Sequence, residues 1–251
     1  MSLFDLSGKV AIVTGSTRGI GLAIARALQD HGAQVTISSE DATDCARIGQ
    51  ELNALVIPAD ITDDAGLATL VDGTVSHYGG LDILVCNAGI PGRPGPFAGI
   101  DMADYDRVMA VNLRSQVQLC NLALPHIAAR GGGAAILMSS LSGLRGNGAI
   151  NVYALAKAGV AQLARNLAVE WGPHNIRVNA VSPGFIRTEL SAPLLANAAF
   201  MQRRMAMTPL RRPGEVEEIA GAALFLAAPA GAFVTGHNLV VDGGTLLSDG
   251  S

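Results

Sequence analysis

Cysteine and histidine are sparse in this chain of 251 residues, and neither is spaced to bind a metal. The three cysteines, Cys45, Cys86 and Cys120, form no CxxC or other close pair, which predicts reduced thiols in a cytoplasmic protein. The five histidines are equally scattered and show no ligand spacing. We therefore predict no metal site.

Charge and long apolar runs are also scarce. Only 15% of the residues are charged, the net charge is −4 and the 17 basic residues are dispersed, which argues against a nucleic-acid partner. The most apolar late stretch, 219–234, is interrupted by Pro229 and glycines and falls short of the roughly 18 apolar residues of a membrane span. The start, MSLFDLSGKVAIVTG, lacks the regions of a signal peptide. We therefore predict no nucleic-acid partner and no membrane partner.

The chain instead shows a regular alternation of apolar runs and helical patterns. Strands are predicted at 9–14, 33–38, 54–59, 81–87, 134–140, 176–182 and 238–243, and helices near 19–31, 42–52, 63–78, 101–129, 150–172 and 215–228. Continuous apolar strands alternating with amphipathic helices indicate a parallel sheet covered on both faces. We predict one α/β domain, residues 1–251, built on a single doubly wound parallel sheet (Rossmann-like) of about seven strands. Ligands are expected at the carboxyl ends of the strands.

A glycine-rich segment, VTGSTRGIG, joins the first predicted strand to the first predicted helix and contains Gly15, Gly19 and Gly21. Glycine lets the backbone approach a pyrophosphate, and the helix N-terminus supplies free N–H groups with a partial positive charge. A tight turn without a ligand could use the same residues. The position at the first strand–helix turn favours a dinucleotide site.

One of only two lysines, Lys157, follows Tyr153 by four residues. On a helix this spacing places both side chains on one face. An ammonium about 4 Å from the phenol, at an effective dielectric constant of ~20, would lower the pKa of the phenol from about 10 to about 7. The pair therefore predicts a tyrosine that exchanges protons near neutral pH. An exposed helix pair is the alternative.

Six motifs stand in a definite order: TGSTRGIG, CNAG at 86–89, Asn112, Ser140, Tyr153-x-x-x-Lys157 and PGFIRT at 183–188. This ordered set resembles the short-chain dehydrogenase/reductase family over about 7–244, in particular its 3-oxoacyl-carrier-protein reductase-like members. The resemblance implies an NAD(P)-dependent oxidoreductase that interconverts a ketone and a secondary alcohol by hydride transfer, and a homotetramer. The alternatives are a 3-oxoacyl-carrier-protein reductase and, more remotely, a dinucleotide-sensing protein without turnover.

The resemblance also assigns cofactor contacts. The glycine segment would line the pyrophosphate, Asp60 would contact the adenine ring, 87–89 would border the adenosine-side ribose, and Ile186 and Thr188 would meet the nicotinamide carboxamide. The implied cofactor-binding residues are Gly15, Thr17, Arg18, Gly19, Ile20, Gly21, Ser38, Ser39, Asp60, Ile61, Asn87, Ala88, Gly89, Tyr153, Lys157, Pro183, Gly184, Ile186 and Thr188.

The phosphate state of the cofactor depends on the segment ISSED at the end of the second predicted strand. In the family, an acid there binds the 2′-hydroxyl of NAD, whereas a basic residue there or in the glycine segment favours the 2′-phosphate of NADP. Ser38 and Ser39 occupy the usual place of the acid, and Glu40 would repel a phosphate if it points inward. Arg18 tips the prediction toward NADP(H) over NAD(H).

The same resemblance implies a catalytic set of Ser140, Tyr153, Lys157 and Asn112. Ser140 would hold the carbonyl oxygen beside the Tyr153 phenol, the general acid/base, while Lys157 would bind the nicotinamide ribose. Strand alternation points Ser139 the other way, and Ser142 is the alternative to Ser140.

Asn112 lies inside a predicted helix, where asparagine is unfavourable. The resemblance implies that Asn112 holds a water linking Lys157 to solvent, and a local kink whose freed carbonyl binds this water would suit that role. An exposed helix asparagine is the alternative.

The substrate side is less defined by the sequence. Predicted substrate contacts are Ser140, Leu141, Ser142, Asn147, Tyr153, Gly184 and Leu190. Arg145 and the loop 91–97 could line the same space, and a variable segment at about 188–210 could form an apolar lid or else pack in the core or against another subunit. His174 stands where carrier-protein reductases commonly carry a basic residue, which leaves Arg130 to contact a carrier. We predict a small-molecule carbonyl or alcohol substrate.

Overall fold

The strands of the computed structural model, which describes residues 2–248, all belong to one sheet. They are β1 (Val10–Thr14), β2 (Gln34–Ser38), β3 (Leu55–Val56), β4 (Ile83–Cys86), β5 (Gly133–Met138), β6 (Ile176–Pro183) and β7 (Asn238–Val241). Their order is β3-β2-β1-β4-β5-β6-β7, and every neighbouring pair is parallel. The predicted seven-stranded, doubly wound sheet is confirmed. The order reverses between β1 and β4, so the carboxyl ends of these strands border the crevice that binds ligands in such sheets.

The helices follow the predicted alternation. They are α1 (Gly19–Asp30), α2 (Ala42–Leu52), α3 (Asp64–Tyr78), α4 (Met102–Met109), α5 (Ser115–Ala129), α6 (Asn151–Trp171), α7 (Ala192–Leu195), α8 (Ala198–Ala206) and α9 (Val216–Ala227). The helix predicted at 101–129 is divided, because a π-helical turn, Ala110–Arg114, separates α4 from α5. The strand predicted at 54–59 contains only two paired residues.

The core consists of two apolar layers, one on each face of the sheet. Alternate residues of β1 supply both layers: Ala11 and Val13 face one side, and Val10 and Ile12 face the other. Residues of α1 and α9 pack on the first side, and residues of α3, α5 and α6 pack on the second. Helices therefore cover both faces, and the crevice at the carboxyl ends remains the open edge.

No helix within residues 2–248 combines the length and apolar character that a membrane crossing requires.

Candidate active site

The turn between β1 and α1 has a backbone that requires glycine. Gly15 and Gly19 have φ angles of 62° and 53°, and a Cβ atom at Gly21 would overlap the carbonyl oxygen of Gly15. A Cβ atom at Gly15 would lie 3.0 Å from Cα of Ala88, so the end of β4 closes against this turn. Arg18 precedes α1 without making a side-chain cap, which leaves the first N–H groups of the helix available to an anion. These residues fit a pyrophosphate.

Asn87 ties the ends of β1 and β4 together. Its Nδ2 donates to the carbonyl oxygens of Thr14 and Gly15 at 3.0 and 3.2 Å. The Asn87 amide therefore holds the ends of β1 and β4 together, and its Nδ2 is used within the protein.

The end of β2 carries a hydroxyl whose hydrogen-bonding capacity is unused. Ser38 Oγ is buried and has no hydrogen-bond partner within the described residues, while the Ser38 N–H donates to Ser16 Oγ at 2.9 Å. A buried polar atom left without a partner costs about 1–3 kcal/mol, so a ligand oxygen here would be favourable. Ser39 is partly buried and Glu40 is exposed. The predicted ribose end of the cofactor is consistent with this unpaired hydroxyl.

The other predicted adenosine-side residues lie at the same edge. Asp60 is exposed after β3, and its Oδ1 accepts from the N–H and the hydroxyl of Thr62, both at 2.8 Å. Ile61 and Thr17 are buried. The second oxygen of Asp60 accepts no hydrogen bond from a described residue, and it is free to accept one from a ligand.

The segment after β6 forms the opposite wall. A Cβ atom at Gly184 would lie 2.6 Å from Cα of Asp242, so only glycine fits where the backbones after β6 and β7 meet. Thr188 and Ser191 hold each other through hydrogen bonds of 2.9 and 3.2 Å from their backbone N–H groups. The Thr188 methyl lies 3.7 Å from the position of a Cβ atom at Gly19. This wall therefore meets the glycine turn across the crevice.

Ser139 and Ser140, which follow β5, have different hydrogen-bond partners. Ser139 Oγ donates to the Lys157 carbonyl oxygen at 2.7 Å, inside the protein. Ser140 Oγ accepts from the Ser142 N–H at 3.1 Å, and the Ser140 hydroxyl is near enough to the Tyr153 phenol to lower its pKa. The structure therefore brings Ser140 and Tyr153 together.

The ammonium of Lys157 is buried beside this pair. Its Nζ donates to the Met138 carbonyl oxygen at 2.7 Å and lies 5.5 Å from the centroid of the Tyr153 ring. Burial lowers the pKa of Lys157 to about 8. Burial also raises the pKa of Tyr153, and the nearby Ser140 hydroxyl only partly opposes this effect. The expectation that Lys157 lowers the tyrosine pKa is therefore wrong for this arrangement, since the ammonium is bound to Met138 and desolvation of the phenol dominates.

Asn112 lies in the π-helical turn and is completely buried, so the exposed-helix alternative is wrong. The predicted kink is this turn, a feature frequent at functional sites. The Asn112 carbonyl oxygen accepts from Gln116 Nε2 at 3.1 Å. The Asn112 carbonyl oxygen, which we predicted to bind a water, therefore already accepts a hydrogen bond from Gln116.

The predicted substrate residues differ in what they expose. Leu141 is 2% exposed and packs in the interior, whereas Leu190 is 68% exposed on the segment before α7. Ser142 is partly buried beside Ser140. Asn147 Oδ1 accepts from the N–H groups of Ala149 and Ile150, so this side chain orders the loop before α6.

Sequence reasoning missed a residue of α8. The Arg204 guanidinium carbon lies 5.8 Å from the centroid of the Phe185 ring, and Phe200 packs against the same ring at 5.4 Å. The signal that could have found Arg204 is its spacing of four residues from Phe200, which places both on one helix face. This face is turned toward the wall after β6.

Within 2–248, no three or more His, Cys, Asp and Glu side chains cluster so as to hold an ion.

Comparisons with known proteins extend over almost the whole chain. A family model described as enoyl-(acyl carrier protein) reductase matches residues 15–245. A cis-4-hydroxycyclohexanecarboxylate dehydrogenase of Sinomonas cyclohexanicum is 43% identical over 242 residues, covering 94% of this chain and 96% of that protein.

Two solved structures are similar throughout. A gluconate 5-dehydrogenase from Burkholderia cenocepacia J2315, in complex with NADP and tartrate, is 34% identical with a TM-score of 0.94, covering 98% of both chains. A 7α-hydroxysteroid dehydrogenase complexed with NADH and 7-oxo glycochenodeoxycholic acid is 37% identical with a TM-score of 0.91, covering 96% of both chains.

Proposed function

Given that the chain belongs to the short-chain dehydrogenase/reductase family, we propose that Ser140, Tyr153 and Lys157 carry its reaction and that Asn112 shapes their surroundings. The chain is an NAD(P)-dependent oxidoreductase that interconverts a secondary alcohol and a ketone. One observation supports the residue assignment above all. The Ser140 hydroxyl lies close enough to the Tyr153 phenol to lower its pKa, and the buried Lys157 lies next to the phenol on the same face of α6.

The bound nicotinamide supplies the hydride in ketone reduction and accepts it in alcohol oxidation. Ser140 donates a hydrogen bond to the substrate oxygen and holds it beside the Tyr153 phenol. Tyr153 gives its proton to that oxygen during reduction and takes it back during oxidation. Because burial raises the pKa of Tyr153, the phenol is protonated at neutral pH and ready to act as the acid. Lys157, fixed by Met138, keeps a positive charge next to the developing phenolate.

For the cofactor we propose NADP(H) over NAD(H). The turn at Gly15, Gly19 and Gly21 would hold the pyrophosphate, and Ser38 Oγ would meet the adenosine ribose. Arg18 is exposed at the same turn and has no carboxylate partner within residues 2–248, so it is free to bind a 2′-phosphate. The solved relatives contain NADP in one case and NADH in the other, so the family accommodates both.

The assignment is tested by the Tyr153→Phe variant. The variant should lower kcat for a secondary alcohol by roughly 10²–10⁴-fold, because it removes the proton-transferring group, while binding of NADP⁺ is kept. Tyr105→Phe is the matched control, since Tyr105 is partly buried on α4 rather than on α6 with Lys157. Substrates should include cis-4-hydroxycyclohexanecarboxylate and gluconate, for which relatives are named, with neutral cyclic alcohols beside them. Near-normal turnover by Tyr153→Phe would reject the assignment.

The carrier-protein alternative gains no support from Arg130. Its Nη2 lies 3.2 Å from Asp82 Oδ2 and 3.3 Å from the Gly8 carbonyl oxygen. Asp82 precedes β4, so this arginine is held at the amino ends of the strands, away from Ser140. An acetoacetyl thioester in the same substrate panel tests this alternative directly.

For assembly we propose a homotetramer in the cytoplasm. Large apolar side chains at the surface support an assembly; Phe233 is fully exposed, and Val169 and Leu247 are more than four-fifths exposed. The cysteines of the described chain are all free and buried, as is typical of reduced intracellular proteins. Light scattering of the purified protein tests the assembly, and a monomeric mass contradicts it.

A further inference from the structure

Most arginines of this chain have an acceptor for their guanidinium group. Eleven of the fifteen bind a carboxylate, a side-chain amide oxygen or backbone carbonyl oxygens. Within residues 2–248, the guanidinium groups without such a partner are those of Arg18, Arg145, Arg203 and Arg204. Arg18 lies at the glycine turn, whereas the other three lie on the segments that flank the reacting groups.

Arg204 is the most unusual of the four, because it is partly buried. Its guanidinium carbon lies over the Phe185 ring, and its Nε is buried with no hydrogen-bond partner in the described chain. The acid that acts on it is Asp242, whose two carboxylate oxygens accept from the N–H groups of Gly244 and Leu246 at 2.8 and 2.6 Å. Arg204 thus presents a positive charge whose donors remain unused, backed by an aromatic ring.

A second arginine without a partner among the described residues, Arg145, acts on Arg204 through its charge. It lies in the loop between Ser140 and Tyr153, and it is partly buried. Burial lowers the pKa of Arg204, and the charge of Arg145 is the next cause. The positive charge of Arg145 is unfavourable for Arg204, and the Asp242 carboxylate, which opposes this effect, already accepts from two backbone N–H groups. An anion bound at Arg204 offsets that repulsion.

The position of the pair separates it from the cofactor phosphates. Phe185 follows Gly184 on the wall after β6, and Arg145 follows Ser140 by five residues. The glycine turn and Ser38 lie at the ends of β1 and β2, across the crevice. The arginine pair therefore flanks the substrate.

We propose that Arg204 and Arg145 bind a carboxylate of the substrate, and this inference rests on the proposed function of the same site. The substrate is then a hydroxy acid or an oxo acid whose carboxylate is separated from the reacting carbon. Arginine suits this task because its planar fork matches a carboxylate with two parallel hydrogen bonds. The Phe185 ring lies beside the Arg204 guanidinium and would contact the apolar part of the substrate.

The first test compares an acid with its matched amide, cis-4-hydroxycyclohexanecarboxylate and cis-4-hydroxycyclohexanecarboxamide. The wild-type protein should prefer the acid by about tenfold or more in kcat/KM. Arg204→Met should lower kcat/KM for the acid by about 10–100-fold, the range expected for lost hydrogen bonds to a charged group, and for the amide by less than threefold. Arg204→Lys should recover part of the loss. Arg203→Met is the matched control, because Arg203 is exposed on the same helix.

A second measurement does not depend on turnover. Calorimetric titration of the NADP⁺-loaded protein should show that cyclohexanecarboxylate binds the wild type and the Arg203→Met variant, but binds Arg204→Met at least tenfold more weakly. Cyclohexanecarboxamide should bind all three proteins alike. The Tm of Arg204→Met should equal or exceed that of the wild type, since the substitution removes an unpaired, partly buried charge.

The outcomes separate this inference from the proposed function. If the wild type oxidises neither probe but binds cyclohexanecarboxylate through Arg204, the carboxylate site is supported. The two probes are then excluded as substrates of the proposed reaction. Turnover of both probes without preference for the acid overturns the carboxylate site and leaves the oxidoreductase assignment intact. Equal losses for acid and amide in Arg204→Met, or carboxylate binding that does not change in this variant, also overturn it.

Discussion

Asn112 and Ile90 are joined by two hydrogen bonds that run in opposite directions. The Ile90 N–H donates to Asn112 Oδ1 at 3.2 Å, and Asn112 Nδ2 donates to the Ile90 carbonyl oxygen at 2.9 Å. The same Nδ2 donates to the Val108 carbonyl oxygen at 2.9 Å. The side chain thus fastens the loop after β4 to the π-helical turn, directly beside Gly89, where a Cβ atom would lie 2.6 Å from Asn112 Oδ1.

Replacing Asn112 by alanine should therefore destabilise the fold as well as the site. The substitution leaves the N–H and carbonyl groups of Ile90 without these partners and removes the bond to the Val108 carbonyl oxygen, which should lower the free energy of unfolding by about 3 kcal/mol. Asn112→Asp keeps the acceptor for the Ile90 N–H and should lose less. Urea unfolding measures both, and Asn166→Ala, at an exposed helical asparagine, is the control. A fully stable Asn112→Ala variant would show that this clamp is dispensable.

Asn112 also shows what the sequence could and could not predict. Its unfavourable position inside a helical pattern predicted the kink, because helix propensity is a local property. Its partner Ile90 is 22 residues away in sequence, and the contact depends on how the π-helical turn lies against the loop after β4. The same limit applies to Lys157 and Met138. The i,i+4 spacing placed Lys157 beside Tyr153, but the competing carbonyl oxygen belongs to a strand and appears only when α6 packs on the sheet.

The glycine turn between β1 and α1 was the most predictable part of the site, and a substitution at Gly21 tests it. A methyl group at Gly21 would overlap the Gly15 carbonyl oxygen and push α1 away from the turn. Gly21→Ala should weaken NADP⁺ binding by about tenfold or more, given the 1–3 kcal/mol that overpacking typically costs. Gly221→Ala is the matched control, because this helical glycine has no neighbour within 4 Å of the added methyl. The control should keep cofactor binding and gain about 0.5–1 kcal/mol in stability. Unchanged cofactor binding in Gly21→Ala, measured by fluorescence titration, would argue against this site.

Cofactor preference should depend on Arg18. If this side chain binds the 2′-phosphate, Arg18→Ala should lower kcat/KM for NADP⁺ by about 10-fold or more and leave kcat/KM for NAD⁺ nearly unchanged. Glu40→Gln should act in the opposite direction by removing a charge that repels the phosphate. Arg165→Ala, an exposed arginine on α6, controls for a general loss of positive charge. A wild-type preference for NAD⁺ of more than tenfold would contradict the assignment.

The buried ammonium of Lys157 should make stability depend on pH in the alkaline range. Its pKa in the folded protein is about 8, below the ordinary value of 10.5, so between these values the unfolded chain binds more protons than the folded one. Stability must then rise with pH in this window, and the cost of burying the charge is complete only below about pH 8. The difference in free energy of unfolding between the wild type and Lys157→Met should therefore shift by about 2 kcal/mol in favour of the wild type from pH 7.5 to 9.5. Lys9→Met is the control, because Lys9 is half exposed and pairs with Asp82. A difference that stays flat over this range would mean that Lys157 keeps its proton through its bond to Met138, and its charge would then be available to Tyr153 throughout the working range of the enzyme.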